Sequence, residues 1–435
     1  MKTFVKNGQV WTENAFREAD LLIAEGRIAA IQNPCTVPQG FEGEIIDADG
    51  LLVLPGAIDI HAHIQDGAET FYQGSCSAAK GGVTTVVDMP PFSTVIDQKS
   101  WQARKDLGER ECVTDFGLTG GIVTKMSDLD HLDELAAAGV AQFKLFMLMK
   151  PPTELVWAAV QKAAQTGLRL TVHMEEPVCL GEVDWDDPMG FVKANPPAAE
   201  NVAAAQVLEM ARAAGAPVHV CHVSSGRTVE LIQMHKAWGT DVTAETAPQY
   251  LLLNEEDYLE QGDRVIATPV LRKPEDSEML WRGLQAGIID CMITDHFLGA
   301  LPDPGKPRPA LKDAEPGIAS LEVFYPLMLN AVLDAERLSM DRLVEVMSSR
   351  PAALMGIDDR KGRIAVGMDA DLVFFDINSS WKIADLGGNS RISTLPYEGW
   401  RVNAFNRRTM VRGQTVWDGE KVLNQKGYGK YCGSQ

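Results

Sequence analysis

Positive charge is in short supply in this 435-residue chain: 40 Lys and Arg stand against 60 Asp and Glu, a formal net charge of −20. No Lys/Arg cluster provides a local exception, so nucleic acids and anionic membrane surfaces are excluded as partners on charge alone. Cysteine is sparse as well. The seven residues (35, 76, 112, 179, 221, 291 and 432) are odd in number, scattered and never in a C-x-x-C pair, which is reduced, cytoplasmic usage. The N-terminal MKTFVKNGQVWTENAF lacks the roughly seven-residue apolar core of a secretory signal, and no charge-free apolar run reaches about 18 residues. The expectation is a chain that is neither secreted by a signal peptide nor membrane-spanning. Low-complexity tracts and short-period repeats are also missing. What is present is 45% apolar residues, enough to exclude disorder over most of a length that suits one large barrel with an appendage, or about three domains.

Both ends of the chain have the texture of β-hairpins. Short alternating stretches run from Phe4 to Val10, Asp20 to Ala24 and Arg27 to Ile31, and similar ones return in DADLVFFD (369–376) and RRTMVRGQTVW (407–417). The middle is different: apolar strand, loop and amphipathic helix repeat, with strands apolar on both faces. Eight such strands can be read, at 57–63, 83–90, 115–123, 140–147, 169–175, 217–225, 241–251 and 288–296, with helical segments such as 128–138, 153–166, 200–214 and 274–286 between them. Eight βα units close into a TIM barrel more readily than an open sheet. A doubly wound sheet would want a Gly-rich phosphate turn after its first strand, where this chain has His-Ala-His. The expected division is 1–54 and 358–435 as two β-rich parts around a barrel at 55–357.

Reacting groups in a TIM barrel come from the C-terminal ends of the strands. Here strand one ends in His61 and His63, whose i, i+2 spacing puts both imidazoles on one side of a strand. Strand five ends in His173, strand six in His222 and strand eight in Asp295. Four of the chain's eight histidines therefore occupy strand ends. Strand four carries Lys144 inside an apolar run, where an unpaired ammonium is costly and needs a partner or a modification. Schiff-base catalysis is one possibility. Carboxylation by CO2 to a carbamate that bridges two divalent cations is the other, and the four imidazoles and nearby carboxylate favour it. Zn, Mn, Fe or Co would suit such donors, zinc being the first choice. His219 is expected to pack within its strand, His131 and His235 to lie on solvated helix surfaces, His296 to support the site or occupy a loop, and Cys221 and Cys291 to fill core.

The runs LPGAIDIHAH, GGVTTVVDMP, FKLFM, VHMEEP, VHVCHVSSG, AETAPQYL, LWRGLQAGIIDCMITDH and KGRIAVGMDADLVFFD resemble the cyclic amidohydrolases of the amidohydrolase superfamily: allantoinase, hydantoinase/dihydropyrimidinase and dihydroorotase. The resemblance covers essentially the whole chain. It implies a distorted TIM (β/α)8 barrel with a small β-sandwich built from both chain ends. It also implies that His61, His63 and Asp295 bind one divalent ion, that His173 and His222 bind a second, and that carboxylated Lys144 bridges the two. A hydroxide shared by the cations would attack the ring carbonyl, and Asp295 would act as general base and then acid. Main-chain groups near Thr268 and near Pro316-Gly317 would hold the amide edge of a small cyclic substrate, and assembly as a homodimer or homotetramer would be usual.

Departures from family patterns bear on the substrate. Gln65 stands where dihydroorotases carry an Arg for the substrate carboxylate, which disfavours dihydroorotate. Met149 stands where hydantoinases place an oxyanion-stabilising Tyr. Gln249 replaces the usual His of allantoinases, and the run after Asp295 reads His-Phe-Leu-Gly-Ala-Leu-Pro. Met147 and Trp281 are read as core before pocket. The favoured reading is an allantoinase-like ureide hydrolase, with hydantoinase/dihydropyrimidinase or another cyclic imide hydrolase as the alternative. A non-enzymatic hydantoinase-like scaffold or a dihydroorotase stands behind both.

Overall fold

The computed structural model describes residues 2–90, 95–299, 311–383, 395–423 and 426–433. Of the run after Asp295, Ala300, Leu301 and Pro302 lie outside the described residues. The chain opens with β1 (Lys2–Thr12), β2 (Ala15–Ala24), β3 (Arg27–Gln32), β4 (Glu44–Asp47) and β5 (Leu51–Pro55). A bulge in β1 between Val5 and Gly8, where Asn7 takes a left-handed φ of 62°, divides its ladder in two. Thr3–Lys6 pairs with β4 and Gln9–Val10 pairs with β5, both in parallel.

The barrel strands are β6 (Ala57–His63), β7 (Val83–Asp88), β8 (Asp115–Leu118), β9 (Gln142–Phe146), β10 (Arg169–His173), β11 (Val218–Val220), β12 (Val242–Thr246), β13 (Cys291–Met292) and β14 (His296–Phe297). They form two parallel arcs, β13-β12-β11-β10-β9 and β14-β6-β7-β8. A parallel bridge between Gly120 and Phe143 joins the arcs on one side. On the other side the eighth strand itself makes the join, because it is broken. Cys291–Met292 pairs with β12, the chain turns through Asp295 at φ 49°, and His296–Phe297 then pairs with β6. The result is a distorted TIM barrel. All residues of β7 and β12 are buried, as strands sandwiched between barrel interior and surrounding helices must be.

Two expectations are corrected. The seventh strand stops at Thr246 because Pro248, with its fixed φ and missing N–H, opens the short helix Pro248–Leu252. His235 is not on a solvated surface but is buried in the helix Gly226–Ala237, its Nδ1 3.3 Å from Thr240 Oγ1 and its ring edge against Trp238. His131 is exposed beside Glu134.

After the barrel come β15 (Leu372–Asp376), a two-stranded ribbon of β16 (Trp381–Lys382) and β17 (Arg401–Val402), then β18 (Phe405–Val411) and β19 (Gln414–Trp417). β15 pairs antiparallel with β5, so both chain ends share one sheet in the order β19-β18-β15-β5-β1-β2-β3. Val5, Leu21, Ile28, Val53, Leu372 and Phe374 belong to its own apolar core. Among the described residues no helix is long and apolar enough to cross a membrane.

A buried ion cluster ties this β-rich part to the barrel. Lys361 Nζ lies 2.8 Å from Asp115 Oδ2 at the start of β8, 2.5 Å from Asp371 Oδ2 and 3.5 Å from Asp369 Oδ2. Arg412 also contacts Asp115, and Lys430 N donates to Asp115 Oδ1 at 2.9 Å. Removing one member of such a cluster leaves buried charge uncompensated, which costs about 3–5 kcal/mol. Lys361→Met is therefore expected to lower the unfolding midpoint in a denaturant titration by that amount of stability; an unchanged midpoint would show that the cluster does not hold the two parts together.

Candidate metal centre

The five strand-end residues and Lys144, from the middle of β9, meet at one end of the barrel. His61 and His63 leave the end of β6 on the same side, and the break in the eighth strand drops Asp295 between them. Asp295 Oδ1 is 3.4 Å from His61 Nε2 and 3.6 Å from His63 Nε2. His173 at the end of β10 and His222 just beyond β11 face each other, with Nδ1 of the first 3.0 Å from Nε2 of the second. The rings of His61 and His222 lie 5.3 Å apart, so the two groups are neighbours. His222 and Asp295 both adopt left-handed backbone, at φ 31° and 49°. Non-glycine residues there carry strain of order 1–3 kcal/mol that the surroundings must hold in place. Hydrogen bonds do so here: Asp295 N donates to His61 O at 3.0 Å, and His222 N to Glu245 Oε1 at 3.3 Å.

The donor set fits two divalent cations. Ligand atoms about 2.0–2.1 Å from one cation lie roughly 3 Å from each other, the spacing seen within each group. Burial, and then the Lys144 charge, lower the imidazole pKa of His61 and His173; burial is also the leading cause at His222. Neutral imidazoles keep a lone pair for a metal. Burial would raise the Asp295 carboxyl, but His222, His63 and His61 outweigh it and hold the group well below the usual carboxylate range. Lys144 Nζ sits 3.0 Å from Cys221 Sγ, and among the described residues no carboxylate comes within ion-pair distance of it. A buried amine with no counter-charge fits conversion to an anionic carbamate better than a resting ammonium.

The six residues line a cavity of about 180 Å³ whose other walls are mostly apolar: Ile122, Phe146, Phe297 and Ile318 with Pro90 and Ala267. Of the expected substrate contacts, Thr268 and Gly317 line this cavity and Gln65 and Met149 do not. Gln65 is turned away because its Oε1 accepts from Phe71 N at 2.7 Å, at the start of the helix Phe71–Lys80. Met149, in a single 3-10 turn, is 46% exposed. Met147 and Trp281 are buried core, and neither lines the cavity. Gly317 N already donates to Ile266 O at 2.8 Å, so this residue has no N–H left for a ligand. A Cβ at Gly317 would meet the Phe297 ring at 2.4 Å, which explains glycine here.

Residues 52–416 match the amidohydrolase family. The chain is 31% identical over 441 residues to an allantoinase of Escherichia coli (strain K12), covering 96% of this chain and 95% of that protein. Among solved structures, L-hydantoinase (dihydropyrimidinase) from Arthrobacter aurescens superposes with a TM-score of 0.88 at 30% identity, covering 99% of both chains. A D-hydantoinase superposes with a TM-score of 0.87 at 27% identity, covering 99% of this chain and 98% of the other.

Behind the donors stands a layer of buried carboxylates that strand-end reasoning misses. Glu245 on β12 accepts from His61 Nδ1, and its second oxygen is 2.9 Å from His219 Nε2. Burial would raise its pKa, but His61 and His219 hold it well below the ordinary value. Glu175 takes His173 Nε2 at 2.8 Å; burial pushes its carboxyl up to about 7 against the pull of Arg272. Asp59 accepts from Thr294 Oγ1 at 2.5 Å and from His61 N at 3.1 Å. His296 serves the loops: its Nε2 lies 2.7 Å from Glu69 Oε2, and Ser320 N donates to its Nδ1. The available signal was a carboxylate inside an apolar strand, as in VTAET, which has to find a partner. Loss of such a support typically weakens a metal site 10–100-fold. Glu245→Gln should therefore release its tightest-held metal to a chromogenic chelator at about 10–100-fold lower chelator concentration than the parent; identical titrations would show that the carboxylate is not needed to aim His61.

Proposed function

The chain belongs to the amidohydrolase family, and on that premise we propose that it is a metal-dependent hydrolase that opens a cyclic amide or ureide ring. The observation that carries this reading is the convergence of four imidazoles, Asp295 and a buried lysine that has no carboxylate partner among the described residues on one cavity. When bound, two divalent cations supply Lewis acidity, polarising the scissile carbonyl and making a water nucleophilic near neutral pH. His61, His63 and Asp295 would hold one, His173 and His222 the other, and Lys144 as its carbamate would be common to both. Zinc is the first choice, with manganese, iron or cobalt compatible with the same donors.

The chain's own groups do the rest. Asp295, held ionised, takes a proton from the attacking water at a carboxylate oxygen. As the ring C–N bond breaks, it delivers that proton to the departing nitrogen, so base and acid are one group. The apolar walls disfavour bulk water, and a cavity of this size suits a ring because both product ends remain on one molecule. Among ureides, an allantoinase-like reaction is the first reading, supported by the sequence relatives. Hydantoins, dihydropyrimidines or cyclic imides are the second, supported by the apolar lining, which gives the polar side chain of allantoin few partners. Cytoplasmic location and assembly as a dimer or tetramer belong to the same proposal.

A panel of allantoin, hydantoin, dihydrouracil, dihydroorotate and succinimide, assayed with measured metal content per chain, tests the reading. Two metals with opening of one ring supports it; less than one metal after reconstitution with bicarbonate and zinc overturns it. Lys144→Ala is expected to lose metal and activity together, with activity partly restored by short carboxylic acids. Full activity with two metals bound in that variant would remove the bridging role. Asp295→Asn should keep the circular-dichroism spectrum of the fold and lose about 10²–10⁴-fold in kcat; a loss below tenfold would move the proton transfer to another group.

A further inference from the structure

The cavity holds one polar side chain that neither the metal set nor the fold fully uses. Gln249 is 1% exposed, lines the cavity and donates from Nε2 to Thr294 O at 3.3 Å. Among the described residues its Oε1 is buried with no hydrogen-bond partner. The orientation of the amide is fixed by chemistry, because Thr294 O can only accept and must face the NH2 group. Oε1 is therefore an acceptor awaiting a donor. The metal-binding side chains aside, the described lining is Ile122, Phe146, Phe297 and Ile318 with smaller apolar residues, Gly317 and Thr268. A ring entering this space finds few side-chain groups able to fix its orientation, and Gln249 is the one whose unused atom accepts only.

Resting on the cyclic-amide reading above, we propose that Gln249 is the specificity-determining residue that reads a ring N–H. The substrate class that follows is a neutral cyclic amide, imide or ureide that keeps an unsubstituted N–H in the ring. The N–H donates to Gln249 Oε1 while the carbonyl lies toward His61, His173 and Asp295. A ring methylated on that nitrogen brings an apolar group against a buried acceptor and leaves the acceptor unpaired, the situation in which a site rejects an analogue most strongly. Because Nε2 is tied to Thr294, immediately before Asp295, the ring is read from the same segment that carries the proton-transferring carboxylate.

The test is binding to the metal-loaded protein, with the cell contents assayed for ring-opened imide after each titration so that heat of binding is read apart from heat of hydrolysis. Succinimide and N-methylsuccinimide are titrated calorimetrically into the parent, Gln249→Met and Gln249→Glu. Methionine matches the length of glutamine and deletes both polar atoms, whereas glutamate, protonated in this buried position, keeps the acceptor and replaces Nε2 by an O–H donor toward Thr294 O. The parent is expected to prefer succinimide by about 100-fold, Gln249→Met to bind both within about threefold, and Gln249→Glu to keep the preference. If Gln249→Met is poorly folded by thermal midpoint and metal content, the parent and Gln249→Glu decide alone. A parent that binds both imides equally or neither, or a Gln249→Met that keeps the full preference, overturns the proposal. Preference for the N–H imide in a parent that opens no ring of the panel would leave this assignment standing and defeat the hydrolase reading, so the two failures are distinguishable.

Discussion

The site depends on one buried carboxylate. Glu245 touches His61 Nδ1, His219 Nε2 and the backbone N of His222, and so joins strands β6, β11 and β12 at the level where the donors begin. A carboxylate with no solvent contact is costly unless it is fully paired. The pairing that makes this burial tolerable also fixes the tautomer of His61, because Nδ1 must donate to Glu245, which leaves Nε2 as the free lone pair beside Asp295. The same group steadies the strained backbone of His222. Donors from both groups therefore share a common support, and geometry that would otherwise rest on the rotamers of separate strands is set by one network.

Around this network the barrel is arranged so that its irregularities fall where chemistry is needed. The eighth strand cannot pair continuously with β12 and β6, and the break places Asp295 in left-handed backbone facing the histidines of β6. At the opposite end, the start of β8, the Lys361 cluster binds Asp115 to the sheet made of both chain ends. One end of the barrel is thus held by buried ion pairs, and the other keeps donors and acceptors without partners among the described residues. That polarity is what a TIM barrel allows, since stability can be concentrated away from the loops that carry reaction.

Much of this was legible in the sequence. Strand-end positions of His61, His63, His173, His222 and Asp295 follow from the period of apolar runs, and a lysine within QFKLF identifies itself by its cost. The helix at 153–166 is readable from its pattern, and in the structure Gly167 closes it in left-handed backbone. Four things were not. Pro248 was read as part of a strand because its apolar neighbours continue the pattern, although its fixed φ starts a helix. His235 looked solvated because its helix is polar overall, yet Thr240 and Trp238 create a buried niche for it. Gln65 and Met149 were placed by analogy with motifs, and side-chain direction is not carried by motif position. The supporting carboxylates Glu245 and Glu175 were present in AETAPQYL and VHMEEP, but partnership across strands becomes visible only when β6, β11 and β12 are brought together.

The division of labour between donors and walls accounts for the way this chain sits among its relatives. Donors, supporting carboxylates and the broken eighth strand come from the strands and are constrained by one another, so they change together or not at all. The walls come from residues such as Phe146, Phe297 and Gln249, each of which lines the cavity without belonging to the candidate metal-binding set. Wall residues are therefore free to vary without disturbing the strand-end cluster, and the chain is similar in about equal measure to an allantoinase and to a hydantoinase. Substrate choice then has to be argued from the unpaired atoms of the wall. In an apolar cavity an acceptor left without a donor costs about 1–3 kcal/mol, as much as burying several methylene groups gains, because a missing hydrogen bond there has little water to replace it.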